Sequence, residues 1–462
     1  MFTMEAWLKK DTATQTKNSI VYRLTDDDDN TQRRRCPGDL EQFSQNTTLH
    51  GLTFITSKDS SLARRLAWML IVTSMMIVFI YLGIIHNVLR YLDRPINTIV
   101  SMNYVNDMDF PAVTICNYNQ WRASMVGPEL EDVVYWLSTS SIHYPNQTIL
   151  DYLKSKEGEL DKKVNIFNMT HQIEDMLREC TWKQIERCRA DDFTRVLTGW
   201  GVCYTFNNPQ NMNEVRKVKQ SGSNYGLYMR INIEQDEYFF GDNTGAGLRI
   251  LVHHQGQRPL VKSLGFSISP GFESHIGMRR TKVMNLGHPY KSNCRTKPLK
   301  YSQYSVQACN YECYVDHVVK TCGCQDYRMP GDARRCSAYE SITCVNNASS
   351  DFINKERKCD CPTACTVNIY NVRVSSTYWP STHVTEIKGI TDVEARKNYM
   401  DVKIYFEELS LEEIQQIPAY GFEALLGDIG GIMGLLCGMS LTTVFEFLDF
   451  FLCAVIKTWK RS

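Results

Sequence analysis

Two stretches break the largely polar texture of this chain. Leu66 to Ile85, LAWMLIVTSMMIVFIYLGII, is free of charge and about the length that crosses a bilayer once as a helix. Leu425 to Ile456 is longer and mostly apolar, yet it carries Asp428, Glu446 and Asp449. A straight helix of that length would reach ~48 Å at ~1.5 Å per residue, against a hydrocarbon core of ~30 Å, so it must tilt, protrude or break. Gly430, Gly434 and Gly438 share one helical face and let backbones approach closely in lipid, and the break is expected at Gly438, Met439 and Ser440. Charges at membrane depth usually face a pore or cavity. Irregular backbone at that depth is tolerated only where it lines a wet cavity or is buried in protein. Three such helices meeting on an axis would turn the tract's carbonyls toward a cation, replacing part of its hydration shell. Asp428 above, with Glu446 and Asp449 below, would form acidic rings that favour cations. The competing reading, a tail anchor with a glycine dimerisation stripe, leaves Glu446 unexplained, because it lies too many turns from Lys457 to snorkel out.

Between these stretches the pattern is mixed. Phe110 to Asn117 reads as extended and β-branched; Gln120 to Ala190 has helical spacing, with Val133, Val134, Trp136 and Leu137 as its apolar positions. Val196 to Phe206, Gly226 to Phe240, Leu248 to His253 and Leu264 to Ile268 return to strand-type residues and are expected to build one central sheet. Residues 1–62 are polar and aperiodic, with acids at Asp26 to Asp29 followed by Arg33 to Arg35, and are expected to be largely disordered. Within them His50-Gly51 sets a turn residue beside a histidine just ahead of the first apolar stretch.

Charge fixes the topology. The 462 residues carry no net charge and their mean hydropathy is −0.32, so most of the chain is water-soluble and no nucleic acid or other polyanionic partner is implied. The first apolar stretch lies too far from the start to be a cleaved signal and is expected to be an uncleaved anchor. Arg64 and Arg65 precede it; Lys457, Lys460 and Arg461 follow the second, which places both ends in the cytosol and the middle outside, in a plasma-membrane protein with two spans. Of 17 cysteines, Cys36 lies in the N-terminal segment and Cys437 and Cys453 in the last stretch; the even remainder outside predicts seven disulfides. Cys309 and Cys313 are one helical turn apart, while Cys359 and Cys361 would share one side of a strand, so helix and strand could be laddered. Cys322 and Cys324 need partners such as Cys344 and Cys336. The sequons at Asn146, Asn168 and Asn347 are candidate glycosylation sites, whereas that at Asn46 would be cytosolic and bare.

Metal and cofactor are not expected: the Cys-x-Cys pairs lack clustered histidines, and His253 and His254 would point to opposite faces of a strand. Neither is an enzyme, since no nucleophile elbow, zinc-protease helix or phosphate loop occurs.

His50-Gly51, Phe110 to Asn117, Gly201 to Asn207, Gly226 to Tyr238, Leu426 to Gly431 and the Gly438-Met439-Ser440 tract together resemble, in order, the motifs of the epithelial sodium channel/degenerin superfamily. The resemblance covers nearly the whole chain. It implies an α+β membrane protein, trimeric, with two transmembrane helices flanking a large disulfide-rich extracellular domain of palm, thumb, finger, knuckle and β-ball parts. The corresponding segments are 1–63 cytosolic, 64–86 transmembrane, 87–419 extracellular with the finger at about 120–190 and the thumb at about 294–365, 420–457 pore-lining and 458–462 cytosolic. It also implies the pairs Cys116–Cys203, Cys180–Cys188, Cys294–Cys365, Cys309–Cys361, Cys313–Cys359, Cys322–Cys344 and Cys324–Cys336. Further implications are a filter at Gly438, Met439 and Ser440, gating roles for His50, Gly51 and Ala424, sodium preference, amiloride block, and assembly as a homo- or heterotrimer in the bilayer. Met439 departs from the small residue common at the centre of the tract. The histidine pair that acid-sensing relatives carry after the first helix is replaced by Pro95 and Ile96. With a short cytosolic C-terminus, a compact ectodomain and an otherwise acid-channel-like core, the chain more resembles the invertebrate branch opened by RFamide-type neuropeptides, which implies an extracellular peptide ligand. Proton gating is the alternative, and a non-conducting two-pass adhesion or receptor protein the second.

Overall fold

The computed structural model describes residues 40–139, 145–208, 214–241, 243–355, 358–388 and 391–459. Cys36, Asp26 to Asp29, Arg33 to Arg35, Lys460 and Arg461 lie outside the described residues, as does the side chain of Lys457. Two compact units result, one of residues 40–89 with 422–459, the other Arg90–Gly421.

The larger unit is built on two sheets rather than one. The first runs in the order Thr366–Tyr378, Phe272–Met284, Tyr399–Pro418, Leu227–Asn232, Leu177–Trp182, Glu186–Arg187, with Ile96–Tyr104 also paired to Tyr399–Pro418. The second has the order Phe266–Ile268, Leu248–His253, Ala112–Asn117, Gly201–Phe206, Phe193–Thr198. Ala112–Asn117 and Gly201–Phe206 are buried at every position, as a strand covered on both faces must be. Phe110, wholly buried, joins the sheets: its ring meets Trp182 at 4.7 Å, Phe206 at 6.5 Å and Phe406 at 6.1 Å. Asn207, left-handed at φ 58°, donates from Nδ2 to the Phe110 carbonyl at 2.5 Å and so ties two of the sequence motifs together.

Several expectations need correction. Val196 to Phe206 is a hairpin turning at Gly199-Trp200, not one strand. Gly226 to Phe240 is a strand only over Leu227–Asn232, because Glu234 adopts a left-handed φ of 53° and a single 3₁₀ turn follows. Leu264 ends a short helix and the strand begins at Phe266. The helical region after Gln120 ends at Met176, where the chain rejoins the first sheet. The four longest strands of that sheet went unread in the sequence. Ile96–Tyr104 is exposed at nearly every position, and Thr366–Tyr378 mixes polar and apolar residues on both faces.

The seven disulfides join the pairs the resemblance implies. Cys309 and Cys313 lie on the helix Val306–Cys322, but Cys359 and Cys361 lie on an unpaired segment. The Cys361 N–H donates to the Cys359 carbonyl at 2.9 Å, a tight turn that replaces the expected strand.

Among the described residues one helix, Leu62–Leu92, most of it in the smaller unit, is long and apolar enough by itself to cross a membrane; it outruns the expected 64–86 at its far end. Its middle, Phe79–His86, is wound as a π-helix. Buried Asn87 donates from Nδ2 to the carbonyls of Leu82 at 3.0 Å and Gly83 at 3.1 Å, satisfying acceptors that the wider winding loosens. The second apolar stretch is two helices, Phe422–Cys437 and Leu441–Trp459, bent by 75° at Gly438-Met439-Ser440.

Candidate functional site

The break in the second helix is held by the chain's own N-terminal segment. Helix Phe422–Cys437 ends on Gly438, whose N–H closes on the Gly434 carbonyl at 3.0 Å and whose φ of 63° is left-handed, a conformation glycine adopts without a steric penalty. The following helix is capped reciprocally: the Ser440 N–H donates to Thr443 Oγ1 at 2.9 Å, and the Thr443 N–H to the Ser440 carbonyl at 3.0 Å. Thr443 is fully buried, and its hydroxyl also bonds that of Thr48.

His50 sits against this turn. Its N–H donates to the Cys437 carbonyl at 3.2 Å, and its ring fills the space a Cβ on Gly438 would need. Gly51, at φ 90°, packs onto the first helix, where an added Cβ would come within 2.8 Å of Val72 and 3.2 Å of Trp68. The two residues of the motif thus have separate demands: histidine contacts the break, and glycine allows the chain to turn there beside the helix. Leu49, Phe79, Met433 and Cys437 form the buried apolar cluster beneath, with Met439 packed against it. The bulk of Met439 is therefore taken up within its own chain.

The sequence-predicted residues divide. His50, Gly51, Gly438, Met439, Ser440 and Glu446 come together; Ala424, Asp428 and Asp449 are exposed elsewhere on the helices. Glu446 does not stand free as a ring acid would: Oε2 accepts from Thr47 Oγ1 at 3.1 Å and from the Thr48 N–H at 3.4 Å. The expectation of open carbonyls in the tract holds for part of it. Cys437 and Ser440 carbonyls are bonded, whereas those of Gly438 and Met439 accept no hydrogen bond among the described residues. On the outer half, Cβ atoms added at Gly427, Gly430 and Gly431 would meet nothing within 4 Å. That face is unfilled in one chain. Asn146, Asn168 and Asn347 are exposed, and Asn146 caps the helix Gln147–Ser155 through Oδ1, leaving Nδ2 out of that bond.

Thr47, Thr48, Thr443 and Asn87 were not singled out in the sequence. Ser440 and Thr443 stand at capping-box spacing, a signal that could have exposed the new helix start. Nothing local marks Thr47 or Thr48, whose partners lie almost four hundred residues away.

A family model described as amiloride-sensitive sodium channel matches residues 43–450. The chain is 32% identical over 437 residues to acid-sensing ion channel 4-B of Danio rerio, covering 89% of this chain and 75% of that one. It is 30% identical over 454 residues to acid-sensing ion channel 1C of the same fish (92% and 85%), and 29% identical over 451 residues to acid-sensing ion channel 2 of Rattus norvegicus (90% and 86%).

Proposed function

This chain belongs to the amiloride-sensitive sodium channel family, and from that premise we propose that it forms a trimeric, two-span sodium channel of the plasma membrane, opened by an extracellular ligand. Leu62–Leu92 and the broken helix Phe422–Trp459 would cross the bilayer, with Arg90–Gly421 outside and both termini in the cytosol. The observation that carries this reading is the break itself. A left-handed glycine interrupts an apolar helix, its carbonyl and that of Met439 accept no hydrogen bond among the described residues, and a helical face upstream is open at three glycines. In lipid such carbonyls have to be covered by protein or meet water and ions, and such a face lets a neighbouring helix approach closely. Three copies closing on Gly427, Gly430 and Gly431 would supply the cover, and Gly438 with Met439 would line the constriction. Asp428 would form the outer acidic ring. His50 and Gly51 would brace the break from the cytosolic side, with Glu446 holding the bracing segment. Sodium passage and amiloride block follow from the family.

For the stimulus, an RFamide-type peptide is the leading reading. What supports it is the charge state of the outer unit. Lys397 and Asn398 hold the Asp236 carboxyl below the ordinary carboxylate range; Ser124 does so for Glu237, Arg334 for Glu340 and Lys297 for Asp360. Burial pushes Asp326 up, but Arg328 outweighs it and the net displacement is downward. His253 is pushed down to about 4 by burial and is neutral near pH 7. Among the described residues, every displaced carboxylate outside the membrane segments is displaced away from neutrality. A proton sensor needs the opposite. The second reading, proton gating, is supported by the relatives, several of which are named acid-sensing channels. Expression alone and with related subunits, followed by separate application of RFamide peptides and of pH steps, decides between them. Amiloride-blocked current on peptide is expected; robust current on acid alone, with no peptide response in any combination, would overturn the peptide reading.

A further inference from the structure

A cavity of about 410 Å³ lies between the finger helices and the thumb. Leu137, Val164, Ile166 and Leu197 make much of its wall. Among the described residues the charged ones lining it are Lys162 and Arg335, with no carboxylate. Neither base has a carboxylate within ion-pair distance among the described residues. Arg335 is held in place by its own fold: Nη1 donates to the carbonyls of Met329 at 2.9 Å, Asp326 at 3.1 Å and Tyr327 at 3.5 Å.

Tyr327 lines the same cavity. It is 8% exposed, its ring lies 6.0 Å from that of Trp121, and its hydroxyl is buried with no hydrogen-bond partner among the described residues. Burial pushes that phenol up to about 12, so it remains a donor at any physiological pH. A buried hydroxyl left unpaired is costly and rare in a folded chain, and calls for an acceptor. An apolar chamber of this size suits a small organic molecule, and two unpaired cations with one orphan donor specify its charged end.

We propose that this cavity binds a small organic anion with an apolar body, an aryl- or branched-alkyl carboxylate, whose carboxylate is taken up by Lys162, Arg335 and the Tyr327 hydroxyl. The site is independent of the peptide reading, since an amidated cationic peptide brings neither the carboxylate nor the charge it selects. Calorimetric titration of the full-length protein in lipid nanodiscs with 3-phenylpropionate, and with 3-phenylpropanamide as the uncharged isostere, tests it. The carboxylate should bind, and the amide at least about tenfold more weakly; Lys162→Met and Tyr327→Phe should each weaken the carboxylate about tenfold, as loss of a charge-assisted hydrogen bond does. Tyr327→Phe removes the unsatisfied hydroxyl, so its melting temperature should be equal to or above that of the parent, which separates lost binding from lost folding. No binding of the carboxylate up to millimolar concentration, equal affinity for the amide, or unchanged affinity in both variants would overturn the proposal.

Discussion

At the scale of single residues, two positions carry most of what can be tested. Gly438 combines a left-handed backbone with an imidazole lying where a side chain would start. Alanine there meets a backbone cost of about 1–2 kcal/mol for the left-handed conformation in addition to the overlap with His50. Gly438→Ala should therefore lose most of its current while surface biotinylation stays at the parent level; normal open probability and selectivity at that level would count against the bracing role. Asp326 is 2% exposed; Arg328 donates to Oδ1 from Nε at 2.9 Å and to Oδ2 from Nη2 at 3.2 Å. Its folded carboxyl titrates below its unfolded one, so the pair's stabilisation is fully present above the ordinary carboxylate range. It is lost as pH falls through the lower, folded value. Asp326→Asn strands a partly buried guanidinium and should cost about 3 kcal/mol, with the loss greatest near neutrality and shrinking in acid. Chemical denaturation of both forms across pH 2–7 measures this; a cost independent of pH would show that packing rather than charge holds the pair.

At the scale of elements, the disulfide-linked helix Val306–Cys322 shows how a spacing becomes a scaffold. Residues one turn apart on Val306–Cys322 face the same way, so Cys309 and Cys313 can reach Cys361 and Cys359 as successive rungs. The rungs cross-link loops that the unfolded chain would leave open, and removing one should destabilise the fold by about 2–4 kcal/mol. Cys313→Ser combined with Cys359→Ser should lower the unfolding midpoint accordingly while the remaining six pairs still form; a midpoint within error of the parent would place the stability of this region in its helix packing instead. The long strand Tyr399–Pro418 behaves differently. Its first part pairs with Leu227–Asn232 and its last part with Ile96–Tyr104. Between them its parallel register with Phe272–Met284 shifts at Arg279, which binds Glu407 at 2.7 Å and Glu408 at 3.1 Å. An ion-paired bulge of this kind lets one strand serve two neighbours.

At the scale of the whole molecule, the assembly is what a single chain leaves undone. Ala424 is exposed, as are Asp428 and Gly427 close by, so a larger side chain at 424 has room in one chain. In a closed bundle of three it would not. Ala424→Phe should fold and reach the surface normally and carry a standing, amiloride-blocked current without ligand; a variant that stays silent at rest and gates normally would remove 424 from the narrow part of the closed bundle.

The sequence by itself determined whatever is local or repetitive: the apolar stretches, the break at Gly438, the extended character of Phe110 to Asn117, and the helical face that presents Cys309 and Cys313. Hydrophobic runs, turn residues and one-turn spacings are written in consecutive positions and need no partner to be read. The resemblance, not the spacing, supplied the cysteine pairing. Only the tertiary structure decided the division into two sheets, because Ile96–Tyr104 is exposed at nearly every position and Thr366–Tyr378 mixes polar and apolar residues on both faces, and each is fixed by a strand far away in sequence, Tyr399–Pro418 for the first and Phe272–Met284 for the second. It also turned Glu446 from an expected ring acid into the acceptor for Thr47 and Thr48, set the His50 ring against Gly438, and brought the Tyr327 hydroxyl, without a hydrogen-bond partner among the described residues, to the same cavity as Lys162 and Arg335. Each of these depends on which side chains meet across the fold, and a charge or hydroxyl in a linear sequence does not state what it will face.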